Sequence, residues 1–409
     1  MLGVLLNLIV CFTSDLGLDT QVKMAVDEDG ALPWGDLRPE TAGESDPADG
    51  GQRVVLPLYD LSEVAIKAMA FLTFAGMIAC VYRWGGVRSA AILSLSPAFI
   101  FSIGRGYEEV YLAVFCAVAF ILFTGVLSEK NRILQSFGGA LAFMMMPYAK
   151  GFTDGTGILV GATILTVFVT LWNEIEQRGE EKTSWMSKPH IVGVVVFVSV
   201  SLCMILLGIL EYSSTFSIMI ESPVRYSTAL VFSVLDVVII FTLIGMVSWP
   251  FIGPMLHGLS SVTDTKTAQM TGFIVGILTA LVFYVAALWT YEASIWNANW
   301  PGVIWTMGNN GRYATMLFIP FVLFLQQLRL HTEVPTYDAP LSKAKVMGLT
   351  LLLLLPLSIL ASLHGQTMWT DDAASEMNLE NGDEFLFVSE NTLGMHWLYT
   401  FYAPLDAEE

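Results

Sequence analysis

The sequence predicts an all-α, polytopic membrane protein with about eleven transmembrane helices and an amphipathic first outer loop. Three observations lead there. The chain is 55% hydrophobic and only 14% charged, whereas soluble domains carry roughly 25% charged residues. Its apolar residues come in continuous runs, several close to the ~20 residues a helix needs to cross a bilayer. A transmembrane barrel would show alternation instead, and a bilayer admits only helices and closed barrels.

The elements follow in order. Met1 to Thr13 is apolar, short, and lacks a basic leader, so it reads as a first transmembrane helix with its beginning missing rather than as a signal peptide. Further apolar segments run over 61–82, 87–103, 109–128, 133–149, 156–173, 190–211, 228–248, 271–290, 313–328 and 346–363. The four cysteines, Cys11, Cys80, Cys116 and Cys203, all fall inside such segments, without metal-ligand spacing, and read as small hydrophobes.

Charge sets the orientation and the domain plan. An inward N-terminus leaves eleven Lys and Arg in inner loops and eight outside, the bias expected of short cytoplasmic turns. The plan is then a transmembrane domain over 1–365, with an outer loop at 14–60, and an acidic outer tail over 366–409. That tail carries Asp371, Asp372, Glu376 and seven further acids but no Lys or Arg, and it contributes to a net charge of −18. Such a surface argues against nucleic acid, whose phosphates need cations. It reads first as a solvated face, with the aromatic end Trp397 to Tyr402 packed or anchored at the interface.

The same topology collects the candidate residues on the outer side. Asp15 and Asp19 are four apart and share one face of any helix that holds both. Glu108 and Glu109 open a span running inward, where the helix dipole favours carboxylates, so capping alone accounts for them. Lys150 ends a span running outward, where the dipole favours a cation. Arg312 opens an inward span, where a cation opposes the dipole, so capping does not explain it. Tyr313 beside it reads as an interfacial aromatic, and Arg225 is a further outer cation. Asp154 reads as a loop residue, the loop with Trp296, Trp300 and Trp305 as interfacial, and His257 as an inner-end histidine. Asp236 lies within a span, where a charge costs about 2.5–3.5 kcal/mol, so it should either face the protein interior or be protonated.

Three stretches together resemble the GT-C superfamily of membrane glycosyltransferases, within it the protein O-mannosyltransferase-like group. They are DLGLDTQVKMAVDEDGALPWGDLRP, GRGYEEVYLAVFCAVAFILF and GGALAFMMMPYAKGFTDG; GNNGRYATMLFIPFVLFL is a fainter fourth. The likeness covers most of the first 160 residues and thereafter is one of hydropathy. The first loop departs from the group's pattern: it lacks the adjacent Asp-Glu pair often found there and offers Asp15 and Asp19 instead.

The resemblance implies transfer of a sugar from a polyprenyl-phosphate donor to an acceptor hydroxyl on the outer face of the plasma membrane, with inversion. A carboxylate takes the acceptor proton, and cations hold the departing lipid phosphate. Asp19 is then the first choice for the base and Asp15 the second. Glu108 and Glu109 orient the acceptor, and Lys150, Arg312, Tyr313 and Arg225 bind the donor phosphate. The acceptor, protein or lipid, is not specified. The resembled group is mostly metal-independent, so no cofactor is expected, although the carboxylates offer the oxygen ligands a divalent cation takes. The rival readings are a transporter or lipid flippase centred on Asp236, and a non-catalytic membrane subunit whose acidic loop docks a partner.

Overall fold

The computed structural model describes residues 1–25, 56–125, 132–150, 155–177, 219–244, 265–295, 308–331, 343–363 and 368–377, with a few single positions between them. The segment expected at 190–211, Asp154, the Trp296–Trp305 loop, His257 and most of the aromatic tail end lie outside the described residues. All regular structure among the described residues is helical.

The elements are α1 (Leu2–Thr13), α2 (Leu18–Met24), α3 (Glu63–Ser94), α4 (Pro97–Gly104), α5 (Glu109–Phe123), α6 (Arg132–Ala149), α7 (Gly155–Gln177), α8 (Pro223–Ser233), α9 (Thr265–Ile295), α10 (Phe318–His331), α11 (Lys343–Leu363) and α12 (Trp369–Met377). A short 3-10 turn, Pro57–Asp60, precedes α3. A π-helical stretch, Val234–Ile244, continues α8, and a 3-10 stretch, Gly308–Leu317, leads into α10.

Among the described residues two helices, Glu63–Ser94 and Lys266–Thr290, are long and apolar enough to cross a membrane. A third crossing arises if α1 and α2, bent by 55° across their break, count as one. Five further apolar helices are shorter than a full crossing. Large apolar side chains are exposed along α1 (Leu2, Leu5, Ile9), α7 (Leu159, Val160, Val167) and α11 (Leu352, Leu357, Leu360). Helices that show such faces outward while packing inward suit hydrocarbon surroundings, and the chain is membrane-associated.

Two expected segments have different boundaries. The expected division between the runs at 61–82 and 87–103 falls at Gly86, and the second run is itself divided between the end of α3 at Ser94 and α4. The backbone of Gly86, with φ 74°, breaks α3 internally. Pro97, which has no N–H to give, starts α4 instead of continuing the helix before it.

Side-chain contacts set the relative directions of the first four helices. The buried Asn7 amide of α1 donates to Gly3 O at 2.7 Å and to Ser94 O at 2.8 Å, tying the start of α1 to the end of α3. The buried Lys67 amine donates to Ser14 O at 2.5 Å, tying the end of α1 to the start of α3. α1 is thus held near one end by the start of α3 and towards the other by the residues beyond the break at Gly86. Ser358 of α11 donates to Leu95 O, closing the other side of α4.

At the Ser14 end the chain turns sharply onto α2. Gly17 N–H donates to Arg105 O at 3.0 Å, and Thr20 Oγ1 donates to the same carbonyl at 2.8 Å. The Gly17 backbone lies so close to Tyr107 that a Cβ added there would stand 2.4 Å from its ring. Gly17→Ala is therefore expected to destabilise the protein by about 1–3 kcal/mol through overpacking. Gly76→Ala, where a Cβ meets nothing within 4 Å, is expected to be neutral or mildly stabilising. Thermal unfolding of both variants in detergent checks the pair.

Candidate functional site

Six helix ends and turns converge on one end of the bundle. They are α2, the Pro57–Asp60 turn, the α4–α5 turn, the end of α6, the Gly308–Leu317 stretch and, beside them, the start of α3. The convergence follows from chain direction: α4 and α6 arrive there, and α5 and the 3-10 stretch depart from it.

The centre is Glu108 and Glu109, 2% and 1% exposed. Glu108 caps α5 and Glu109 is its first residue, so the helix N-terminus favours both charges. Glu108 receives two ammonium groups. Lys23 Nζ donates to its Oε2 at 2.5 Å, and Lys150 Nζ donates to its Oε1. Lys150 also reaches Glu109 Oε1 at 3.4 Å and the Tyr313 hydroxyl at 3.1 Å. Arg312 Nε donates to Glu109 Oε1 at 2.8 Å, while its Nη2 faces Asp19 Oδ2 at 3.4 Å. The cluster thus alternates Lys23, Glu108, Lys150, Glu109, Arg312 and Asp19, three cations against three carboxylates.

Aromatic rings wall the cluster. The Arg312 guanidinium lies 4.5 Å from the Tyr107 ring centroid, and Lys150 Nζ lies 4.4 Å from that of Tyr313. Tyr313 in turn meets Tyr284 edge to face at 5.4 Å. The Tyr59 hydroxyl donates to Gly106 O at 3.3 Å and stands 3.5 Å from Glu108 Oε2. Arg105 lies over the Phe101 ring at 3.9 Å. Cations over aromatic faces gain about 0.5–2 kcal/mol, most where water is excluded.

Burial grades the cluster from floor to mouth. The Arg312 side chain is 5% exposed and that of Asp19 is 53% exposed. Asp19 is therefore the carboxylate open to an incoming molecule. Glu109 Oε2 is buried and has no hydrogen-bond partner. Burial alone would raise the Glu108 carboxyl, but Lys150 and Lys23 hold it well below the ordinary carboxylate range. Burial alone would likewise lower Lys150, but Glu108, Tyr313 and Glu109 keep it well above the usual lysine value. Both groups are charged at neutral pH.

Four of the expected residues meet here by direct contact with one another: Asp19, Glu109, Lys150 and Arg312, with Glu108 through Lys150. Three expectations need correction. Asp15 does not share a helical face with Asp19, because α1 stops at Thr13 and α2 starts at Leu18; Asp15 Oδ2 instead accepts Met368 N–H at 2.5 Å. Tyr313 is not an interfacial ring but is 4% exposed in the cluster wall. Arg225 is exposed on the first turn of α8 and takes no part in the cluster's ion pairs.

Lys23, Tyr59 and Tyr107 were not expected in the site. Lys23 had a signal, since it stands four residues after Asp19 and shares its helix face. Tyr59 had none, because its partners lie 47 and 49 residues away. Asp19, Glu108 and Glu109 are the oxygen donors available to a metal, and each faces Lys or Arg. No group of three or more His, Cys, Asp or Glu arranged to hold a metal ion occurs among the described residues. Compared with protein-family models, curated proteins and solved structures, the chain gives no match.

Removing one partner from a buried ion pair costs about 3–5 kcal/mol. Glu108→Gln is expected to destabilise the protein by that order, because it strands Lys23 and Lys150 together. Since the Glu108 carboxyl is depressed below its ordinary value of 4.5, its contribution is complete above that pH and is lost as the pH falls below it. Thermal unfolding at pH 7 and at pH 4 should show a large loss in the variant at pH 7 and a smaller gap between variant and wild type in acid.

Proposed function

We propose that this chain is a GT-C-like membrane glycosyltransferase, acting on the outer face of the plasma membrane. It moves a sugar from a polyprenyl-phosphate donor to an acceptor hydroxyl, on protein or lipid, with inversion. The observation that carries this reading is the graded pair of Asp19 and Arg312, one half-exposed and the other sunk in the bundle, 3.4 Å apart. A general base must reach the incoming acceptor, and a phosphate grip must be fixed and poorly hydrated.

In this mechanism Asp19 takes the proton of the acceptor hydroxyl as its oxygen attacks the anomeric carbon. The bond from that carbon to the phosphate oxygen breaks, and its electron pair leaves with the lipid phosphate. Arg312 and Lys150 steady the growing negative charge, with Lys23 at the rim. A guanidinium has five N–H donors, more than its contacts with Glu109 and Asp19 use, so Arg312 can hold its carboxylates and a phosphate oxygen together. Glu108 and Glu109 keep the cations in place while the site is empty, and Tyr313 orients Lys150 through its hydroxyl. The position of Asp15 at the tail helix favours Asp19 as the base. No metal is required, since the leaving charge meets side-chain cations.

One observation favours a second reading, a transporter or lipid flippase. Asp236 lies in the first turn of the π-helical stretch Val234–Ile244, and its buried Oδ2 has no hydrogen-bond partner among the described residues. Intramembrane carboxylates and π-helical turns both mark functional positions. The two readings separate by which residue carries activity.

The test incubates the purified protein with a panel of polyprenyl-phosphate sugars and follows loss of the sugar. Asp19→Asn is expected to reduce transfer at least about 100-fold, the ordinary range for a general base, while leaving thermal unfolding close to wild type. Full transfer by Asp19→Asn removes Asp19 from the mechanism. Absence of transfer from every donor, together with a requirement for Asp236 in lipid or solute movement, replaces the enzyme by the transporter.

A further inference from the structure

Glu109 has two carboxylate oxygens in different circumstances. Oε1 accepts from Arg312 Nε at 2.8 Å and faces Lys150 Nζ at 3.4 Å. Oε2 is buried and has no hydrogen-bond partner among the described residues. The residue as a whole is 1% exposed, so bulk water does not serve that oxygen. A buried acceptor left unpaired bears its full desolvation penalty, and each such group in a folded protein calls for an explanation.

The missing donor has a definable chemistry. Lys23, Lys150 and Arg312 already meet Glu108, Glu109 and Asp19, three charges against three. A hydroxyl donates to Oε2 without adding a fourth cation to that balance. Two hydroxyl-bearing molecules enter the site in the transfer described above, and burial separates them. The acceptor comes by way of Asp19, 53% exposed at the mouth. Glu109 lies on the floor and holds the same guanidinium that grips the donor phosphate. Among the hydroxyls of the donor sugar, the one on C2 stands beside the carbon whose bond to the phosphate oxygen breaks. It is the sugar hydroxyl nearest the phosphate, and so nearest Glu109.

We propose that Glu109 Oε2 accepts a hydrogen bond from the C2 hydroxyl of the donor, which makes the donor a 2-hydroxy sugar. The inference rests on the transferase reading and adds the substrate class to it. The hydroxyl keeps its proton throughout, and Asp19 remains the base. As the bond to the phosphate oxygen breaks, positive charge grows at C1 and the ring oxygen. A C2 hydroxyl bonded to a carboxylate withdraws less electron density from C1, so the contact strengthens towards the transition state. Glu109 thereby links the two halves of the reaction: one oxygen orients Arg312 for the phosphate, the other reads the sugar.

The experiment gives the purified full chain a polyprenyl-phosphate hexose that it uses, with the 2-deoxy and 6-deoxy forms of the same donor, and measures kcat and KM for each. The 2-deoxy donor is expected to lose about 100-fold or more in kcat/KM, mostly in kcat, because it leaves Oε2 unpaired. That loss runs against intrinsic reactivity, since a 2-deoxy sugar parts from its leaving group more readily. The 6-deoxy donor is expected to stay within about tenfold of the parent, the effect of a contact outside the reacting centre. Glu109→Gln is expected to narrow the ratio of parent to 2-deoxy donor at least about tenfold, a change that a purely structural role for Glu109 does not produce. If that variant does not fold, the wild-type comparison decides. Equal use of the parent and 2-deoxy donors overturns the Glu109 contact and leaves the transferase reading standing, as does a variant that keeps the full ratio. Use only of donors without a C2 hydroxyl has the same consequence. Absence of transfer from every donor overturns both.

Discussion

Three cations sit almost out of water at one end of a hydrocarbon-facing bundle, and the arrangement persists because two buried carboxylates, Glu108 and Glu109, meet them there, with the half-exposed Asp19 at the mouth. Taking a charge from water into a protein interior costs several kcal/mol per ion even after relaxation. Lys150, Arg312 and Lys23 recover that cost through Glu108, Glu109 and Asp19, aided by the start of α5, whose dipole favours the two glutamates. No single partner suffices. Glu108 serves two lysines, Glu109 serves a lysine and an arginine, and Arg312 joins Glu109 to Asp19.

Much of the surrounding architecture reads as the means of bringing these groups to one place. The backbone bends between α1 and α2 so that α2 lies on the α4–α5 turn, with Gly17 against Tyr107 and Arg105 O taking two hydrogen bonds. Gly106, in the left-handed region at φ 68°, lets that turn pass tightly into Glu108. Lys67 fastens the end of α1 just before the bend. The bend leaves Asp19 in the first turn of α2, in contact with Arg312 yet half open, while the same cluster buries everything beneath it. The transfer proposed above, from a lipid-borne donor to a water-side acceptor, would use that gradient from open to buried.

Much of this was readable from the order of residues, and the reason is topological. Spans that alternate direction place Ser14, Arg105, Lys150 and Arg312 at one membrane surface before any contact is known. Arg312 was legible through the helix dipole, since a cation opening a helix needs an outside partner, and Glu109 and Asp19 are those partners. The misreadings have equally physical causes. Spacing by four joins Asp15 to Asp19 only on a continuous helix, and the chain is extended at Ser14 and Gly17 instead. Tyr313 resembled an interfacial ring because its polar partner, Lys150, lies 163 positions away. Arg225 shares a predicted surface with the cluster but not its location, since surface assignment says nothing of lateral position. The break between the runs at 61–82 and 87–103 was legible in the glycine pair at 85–86, since Gly86 takes the left-handed φ that ends the first helix there, whereas the further division at Leu95 and Ser96 depends on Pro97 and on tertiary contacts such as Asn7 to Ser94.

The central claim is that Glu109 and Arg312, 203 positions apart, form one buried ion pair at the heart of the site. A double-mutant cycle measures it directly, using Glu109→Gln, Arg312→Gln and the double variant, with unfolding free energy as the readout. Contact within a shared charge network gives a coupling of about 0.5–3 kcal/mol, and for a pair this buried the upper part of that range is expected. Additivity within about 0.3–0.5 kcal/mol, the behaviour of distant and independent sites, would contradict the arrangement described.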